Sequence, residues 1–146
     1  MSAAEAVAGY EAASTAGDID ALMGTLAPDA ELVSPLVAGL VIRGHTDLRL
    51  LLGAVYGTIH DLRWVERVVD GDRVVMRAEA RIGPLKIEDL VLVDLAADGS
   101  ILRMRPHLRP WLATTFFALR MAPKMAGHPG LFRRSWRRPN HALLVD

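Results

Sequence analysis

Asp89 is the residue whose setting most invites chemistry. It lies on one side of an alternating stretch, together with Leu85, Ile87, Val91 and Val93. A carboxyl among aliphatic side chains must give up its charge, pair with a base or accept hydrogen bonds. In the first case it is an acid or base poised for proton transfer. In the second it is a structural ion pair, with Arg77 or Arg105 of another strand as the partner. Glu88 points the other way and reads as a solvated edge residue. Tyr10 follows Ala3 and Val7 and precedes Ser14 along one helical line. It is either a pocket hydroxyl donor or a buried tyrosine with one hydrogen bond.

Few other residues compete. The chain has no cysteine, which excludes a disulfide scaffold, a thiolate metal site and a cysteine nucleophile. His45, His60 and His107 have no metal-ligand spacing, so no metal and no cofactor is expected. His45 reads as a surface loop residue. His107 alternates with Arg103 and Arg105, opposite Met104, Pro106 and Leu108, and faces out if that apolar set faces in. Arg77, Glu79 and Arg81 share a strand face and read as a solvated cross-strand charge ladder.

The elements that must position these groups follow from period and punctuation. Alanines with Glu5 and Glu11 favour a helix over residues 3 to 15, stopped at Gly17. Asp18 caps a second helix with Ile19, Leu22, Met23 and Leu26 at helical spacing, ended by Pro28. Residues 30 to 37, "AELVSPLV", read as a short strand interrupted at Pro35, and "LVIRG" as another. Thr46 caps a third helix whose stripe is Leu48, Leu51, Leu52, Val55, Tyr56 and Ile59.

The period then changes to two. Residues 62 to 69, 73 to 82, 85 to 94 and 100 to 108 read as four strands joined by short glycine turns, an antiparallel meander. In the second, Val74, Met76, Ala78, Ala80 and Ile82 share one face. One face of such a sheet needs covering, and the three N-terminal helices are available. A last helix is expected over about 110 to 122, ended by Pro123, and the Gly-, Pro- and Arg-rich remainder as an extended arm. The domain assignment is one unit over 1–126 with an arm over 127–146.

Charge narrows the partners. Seventeen basic residues balance seventeen acidic ones. After Gly127, four arginines stand against Asp146 alone, so that segment is +3 and the rest is −3. The motif "RRSWRR" at 133 to 138 lacks a basic domain behind it, so no nucleic-acid partner is expected. A tail lying over the acidic body, or reaching a partner copy, fits better. The apolar runs fall short of the ~20 residues a membrane helix needs. The opening "MSAAEAVAGYEAAS" has no positive n-region. The expectation is a cytoplasmic protein with no membrane partner.

Three segments in order carry a family resemblance. "YEAASTAGDIDALMGTLAPDAELVSP", "RGHTDLRLLLGAVY" and "DLVLVDLAADGSILRMR" resemble the opening, third helix and closing hairpin of the nuclear transport factor two-like superfamily, in its ketosteroid isomerase and SnoaL-like polyketide cyclase branches. The resemblance covers about residues 7 to 108. It implies an α+β fold, a cone-shaped curled antiparallel or mixed sheet with N-terminal helices closing a concave apolar pocket. It also implies three working groups. A first-helix tyrosine matches Tyr10, and a strand acid matches Asp89. The proton-moving aspartate before the strand proline matches Ser34, so that group is replaced by a hydroxyl. Such proteins often pair through the outer sheet face, which implies a homodimer.

Two functions are therefore expected as alternatives. One is a cofactor-free cyclase or isomerase-type enzyme acting on a small apolar or polycyclic molecule, with Asp89 as acid or base and Tyr10 as oxyanion donor. Ser34, Tyr56, Trp64, Met76, Met104 and Leu108 would line its substrate site. The other is a non-catalytic ligand-binding or dimeric accessory protein, which the serine at position 34 favours.

Overall fold

A computed structural model describes residues 2 to 136. Ser2 opens α1 (Ala3–Ala16) with a capping box: its hydroxyl accepts from the Glu5 N–H, and Glu5 accepts from the Ser2 N–H. Gly17 closes α1 in the left-handed conformation. Asp18 caps α2 (Ile19–Met23), as its type suggests. That helix is shorter than the spacing of Leu26 predicts. Gly24 ends it, and Leu26 already belongs to β1 (Leu26–Val33), beside Ile101. Pro28 therefore sits inside a strand. It lies where the pairing register shifts between Leu26 and Glu31, a place where a missing N–H does little harm.

A turn at 34–40 leads to β2 (Val41–Arg43), then to α3 (His45–Thr58), β3 (His60–Asp70), β4 (Arg73–Ile82), β5 (Leu85–Leu95) and β6 (Ile101–Arg109). Gly44, and not Thr46, is the N-cap of α3, with no side-chain cap bond. The six strands form one sheet in the order β2-β1-β6-β5-β4-β3. The last four make the expected meander, and β1 joins it parallel to β6, which makes the sheet mixed. The fold is α+β, with the sheet curled around its helices. Val74, Met76, Ala78, Ala80 and Ile82 are buried on its inner face. On the outer face Arg77 bonds Glu66, Glu79 and Glu88, the charge ladder read from the strand pattern.

The C-terminal quarter departs from expectation. α4 (Trp111–Ala126) runs through Pro123 instead of ending there. Pro123 and Leu119, whose carbonyl it leaves without a helical donor, are both exposed, so water can serve that carbonyl. The stretch expected as an extended arm continues as α5 (Pro129–Trp136). Proline suits its first position, and Leu131 and Ser135, one turn apart, are buried. The rest of the expected arm, 137 to 146, lies outside the described residues.

The β4–β5 turn seats α4 against the sheet. Gly83 adopts φ +54°, and a Cβ there would stand 3.0 Å from the Phe116 ring of α4. Gly83→Ala is thus expected to lower stability by about 1–2 kcal/mol, from the left-handed backbone alone, with the ring contact adding to it. Urea denaturation measures this, and an unchanged midpoint would show that the turn does not depend on glycine.

Candidate functional site

The inner face of the sheet does not close completely. Between it and the helices lies a cavity of about 340 Å³. Nearly all of its wall is aliphatic or aromatic. The polar exceptions are Tyr10, Tyr56, Asp89 and Ser34. A smaller cavity of about 40 Å³ lies alongside and shares Tyr56 and Asp89 with it.

Asp89 enters this wall because of strand parity. It faces inward with Ile87 and Val91, opposite Ala78 on β4 and Leu108 on β6. The arginines that might have neutralised it have other partners. Arg77 is held by the ladder, and Arg105 stands 3.8 Å from Asp94. The Oδ1 atom of Asp89 is buried and has no hydrogen-bond partner among the described residues. Burial pushes the carboxyl from 3.8 up to about 7, and a backbone hydrogen bond at His107 opposes that rise. The His107 ring itself is exposed, as its alternation with Arg103 and Arg105 implies.

The hydroxyls form a pair. Tyr10 on α1 and Tyr56 on α3 bring their phenol oxygens to 2.7 Å. Burial pushes both phenols above the usual tyrosine range, and the nearby Asp89 adds to this, so both stay protonated at neutral pH. One hydroxyl donates to the other, which leaves one proton for another acceptor. The pair is braced from behind. Trp64 packs edge-on to Tyr10, with ring centroids 6.1 Å apart, and its indole N–H donates to Ser14 Oγ at 2.9 Å.

Ser34 does something the strand pattern did not reveal. Its Oγ accepts from the N–H groups of Leu36 and Val37 at 3.2 and 3.1 Å, and its own N–H donates to the Leu40 carbonyl. It holds the β1–β2 turn in shape. Its hydroxyl proton remains to be donated.

The other expected lining residues divide. Tyr56, Met104 and Leu108 line the main cavity, and Trp64 lines the small one. Met76 lines neither. It is 1% exposed and belongs to the core beneath the sheet. Sequence reasoning missed the far wall: Phe117, Met121 and Met125 of α4, and Leu131 and Phe132 of α5. The four-residue spacing of 117, 121 and 125 was the available signal. Among the described residues, no three histidine, aspartate or glutamate side chains gather as metal ligands.

In chemical terms, the site can hold a ligand oxygen with a hydroxyl and exchange a proton through a carboxyl that titrates near neutrality. The surrounding wall favours an uncharged, apolar ligand body.

Comparison with known proteins identifies the fold and the family. No curated protein matches the chain. Among solved structures it is similar to a conserved bacterial protein with a cystatin-like fold from Silicibacter pomeroyi. The TM-score is 0.81 at 17% identity, covering 89% of this chain and 93% of that one. It is also similar to a steroid delta-isomerase from Pseudomonas aeruginosa, with a TM-score of 0.78 at 22% identity over 88% and 94% of the two chains. A polyketide cyclase candidate from Sinorhizobium meliloti gives 0.61 at 25% identity over 70% and 94%. Identities this low speak for the fold. The sequence profile of the SnoaL-like domain matches residues 7–107, and the chain belongs to the SnoaL-like domain family.

Proposed function

We propose that this protein is a cofactor-free isomerase- or cyclase-type enzyme that moves a proton beside the carbonyl of a small apolar or polycyclic molecule. The observation that carries this reading is the Asp89 carboxyl in an apolar cavity wall, with Oδ1 unpartnered among the described residues, beside the Tyr10–Tyr56 hydroxyl pair. A buried polar atom without a partner weakens a fold by about 1–3 kcal/mol. A ligand that supplies the missing partner would offset that cost. The similarity to a steroid delta-isomerase and a polyketide cyclase candidate supports the same class.

The chemistry would run as follows. The ligand carbonyl accepts the free proton of the tyrosine pair. Asp89, ionised, takes a proton from the adjacent carbon: a C–H bond breaks, an O–H bond forms, and the electron pair moves to the carbonyl oxygen. The hydroxyl pair stabilises that enolate. In a ligand with a carbon–carbon double bond beside that carbon, the product is a dienolate; protonated Asp89 then returns the proton to its far carbon, and the double bond shifts into conjugation with the carbonyl, which isomerises the ligand. Alternatively, the enolate carbon attacks a second carbonyl and Asp89 protonates the new alkoxide, which closes a ring. A pKa near the working pH serves both halves of the cycle.

A non-catalytic ligand-binding protein is the second reading. Among the described residues, Asp89 is the only acid lining the main cavity, and Ser34 is occupied with its turn. Such a protein would bind an apolar ketone and leave its protons untouched.

Proton NMR in D₂O separates the two. Loss of α-proton signal from bicyclic ketones, catalysed by the wild-type protein, is expected of the enzyme. Asp89→Asn should slow it by about 10²- to 10⁴-fold while ketone binding persists. Undiminished exchange in that variant would remove Asp89 from the mechanism.

The same substitution should raise stability. The folded-state pKa of about 7 lies above the ordinary 3.8, so the folded chain holds this proton more tightly than the unfolded chain. Its contribution is complete below about pH 4 and is lost as pH rises through about 7. Asp89→Asn abolishes the loss. The variant should gain on the wild type between those values and level off above, by up to about 4 kcal/mol. Urea titrations on both sides of neutrality measure it. A gap independent of pH would mean that the carboxyl is not perturbed.

A further inference from the structure

The arginine-rich motif found no role in the chemistry above, yet the structure ties it to the cavity. Arg134 reaches from α5 to Asp47 in the first turn of α3 with a two-pronged grip: Nε donates to Oδ2 at 2.9 Å and Nη2 to Oδ1 at 2.6 Å. Asp47 is buried in the first turn of α3, where the helix N-terminus and this guanidinium both face its carboxylate. The grip has room made for it. A Cβ on Gly130 would stand 3.0 Å from Arg134 Nη1, so the bare glycine lets the guanidinium lie back over the helix.

Between Gly130 and Arg134 stand Leu131 and Phe132, both in the cavity wall. The helix that carries them joins α4 through the two-residue link Gly127–His128 and packs chiefly on β2. Among the described residues, the wall on this side is therefore one short helix on a short link, held by its packing on β2 and by one ion pair.

We propose that α5 is the gate of the cavity, and that Arg134, through Asp47, is the positioning residue that keeps the gate closed on a ligand. With the pair formed, Leu131 and Phe132 complete the apolar wall and retain molecules that fit within it. With the pair broken, the wall loosens, and ligands leave faster and larger ones are admitted. The inference rests on the cavity being a ligand site. It does not rest on Asp89 being catalytic, so loss of the enzymatic reading would leave it standing.

The test uses prodan, a fluorescent naphthyl ketone, with stopped-flow measurement of its release, and hydrogen exchange of the α5 amides by mass spectrometry. Arg134→Gln should speed release by about tenfold, as removing one partner of a forked, half-buried ion pair would, and should raise exchange in α5 selectively. Arg134→Lys keeps the charge but loses the fork, and should fall between the two. Asp47→Asn should reproduce Arg134→Gln, which separates the latch from a local misfold at α5. Unchanged release in both variants overturns the gate. So does faster α5 exchange with unchanged release, because the helix would then be loose without controlling the ligand. Failure of the wild type to hold prodan overturns the cavity as a ligand site, and the gate with it.

Discussion

A carboxyl on the inner face of this sheet is largely shielded from solvent and has no counter-charge among the described residues, and the rest of the site is arranged around that fact. The strand pleat turns Asp89 inward with Ile87 and Val91, while the arginines of the neighbouring strands turn outward to their own acids. The result is a group that resists ionisation until about neutral pH. The Tyr10–Tyr56 pair is subject to the same dry surroundings and answers differently: its two hydroxyls satisfy each other and keep one proton to offer. An acid near its switching point and a hydroxyl that does not switch are complementary tools, and one apolar wall makes both.

The scaffold explains how such a wall stays open. Curling the sheet spreads its inner face, and α1 and α3 cover part of it. α4 and α5 complete the cover without filling the space, which leaves about 340 Å³. The turn held by Ser34 shapes the rim on one side and α5 shapes it on another. Ser34 thus explains itself physically: a side-chain oxygen accepting two backbone N–H groups holds the turn, a task an aspartate could also perform.

Much of the fold was legible from period and punctuation. The two-residue alternation of 73 to 82 matches a strand buried on one side only, and the third helix followed its apolar stripe. Proline misled twice, for one reason. Its local cost is small where its missing N–H has no partner to lose, and neither the register shift at Pro28 nor the exposed side of α4 at Pro123 shows in a linear sequence. Asp89 and Tyr10 stood out because each is polar within an apolar pattern. The Tyr10–Tyr56 bond spans 46 positions and has no local signature. Met76 shows the limit of parity: the pattern tells which side of a strand faces inward, and not whether that side meets a cavity or solid core. The α5 wall was hidden because a run of glycine, proline and arginine looks like extended chain until Leu131 has something to pack against.

The central claim is that Asp89 is a carboxyl held near its switching point by burial in an apolar cavity. Carbon-13 NMR titration of the aspartate carboxyls, with Asp89→Asn to assign the resonance, reads it directly. The account predicts a midpoint of about 7 for Asp89. A midpoint at the ordinary 3.8 would mean that water or a counter-charge reaches the group, and would contradict both the dry site and the proton transfer built on it.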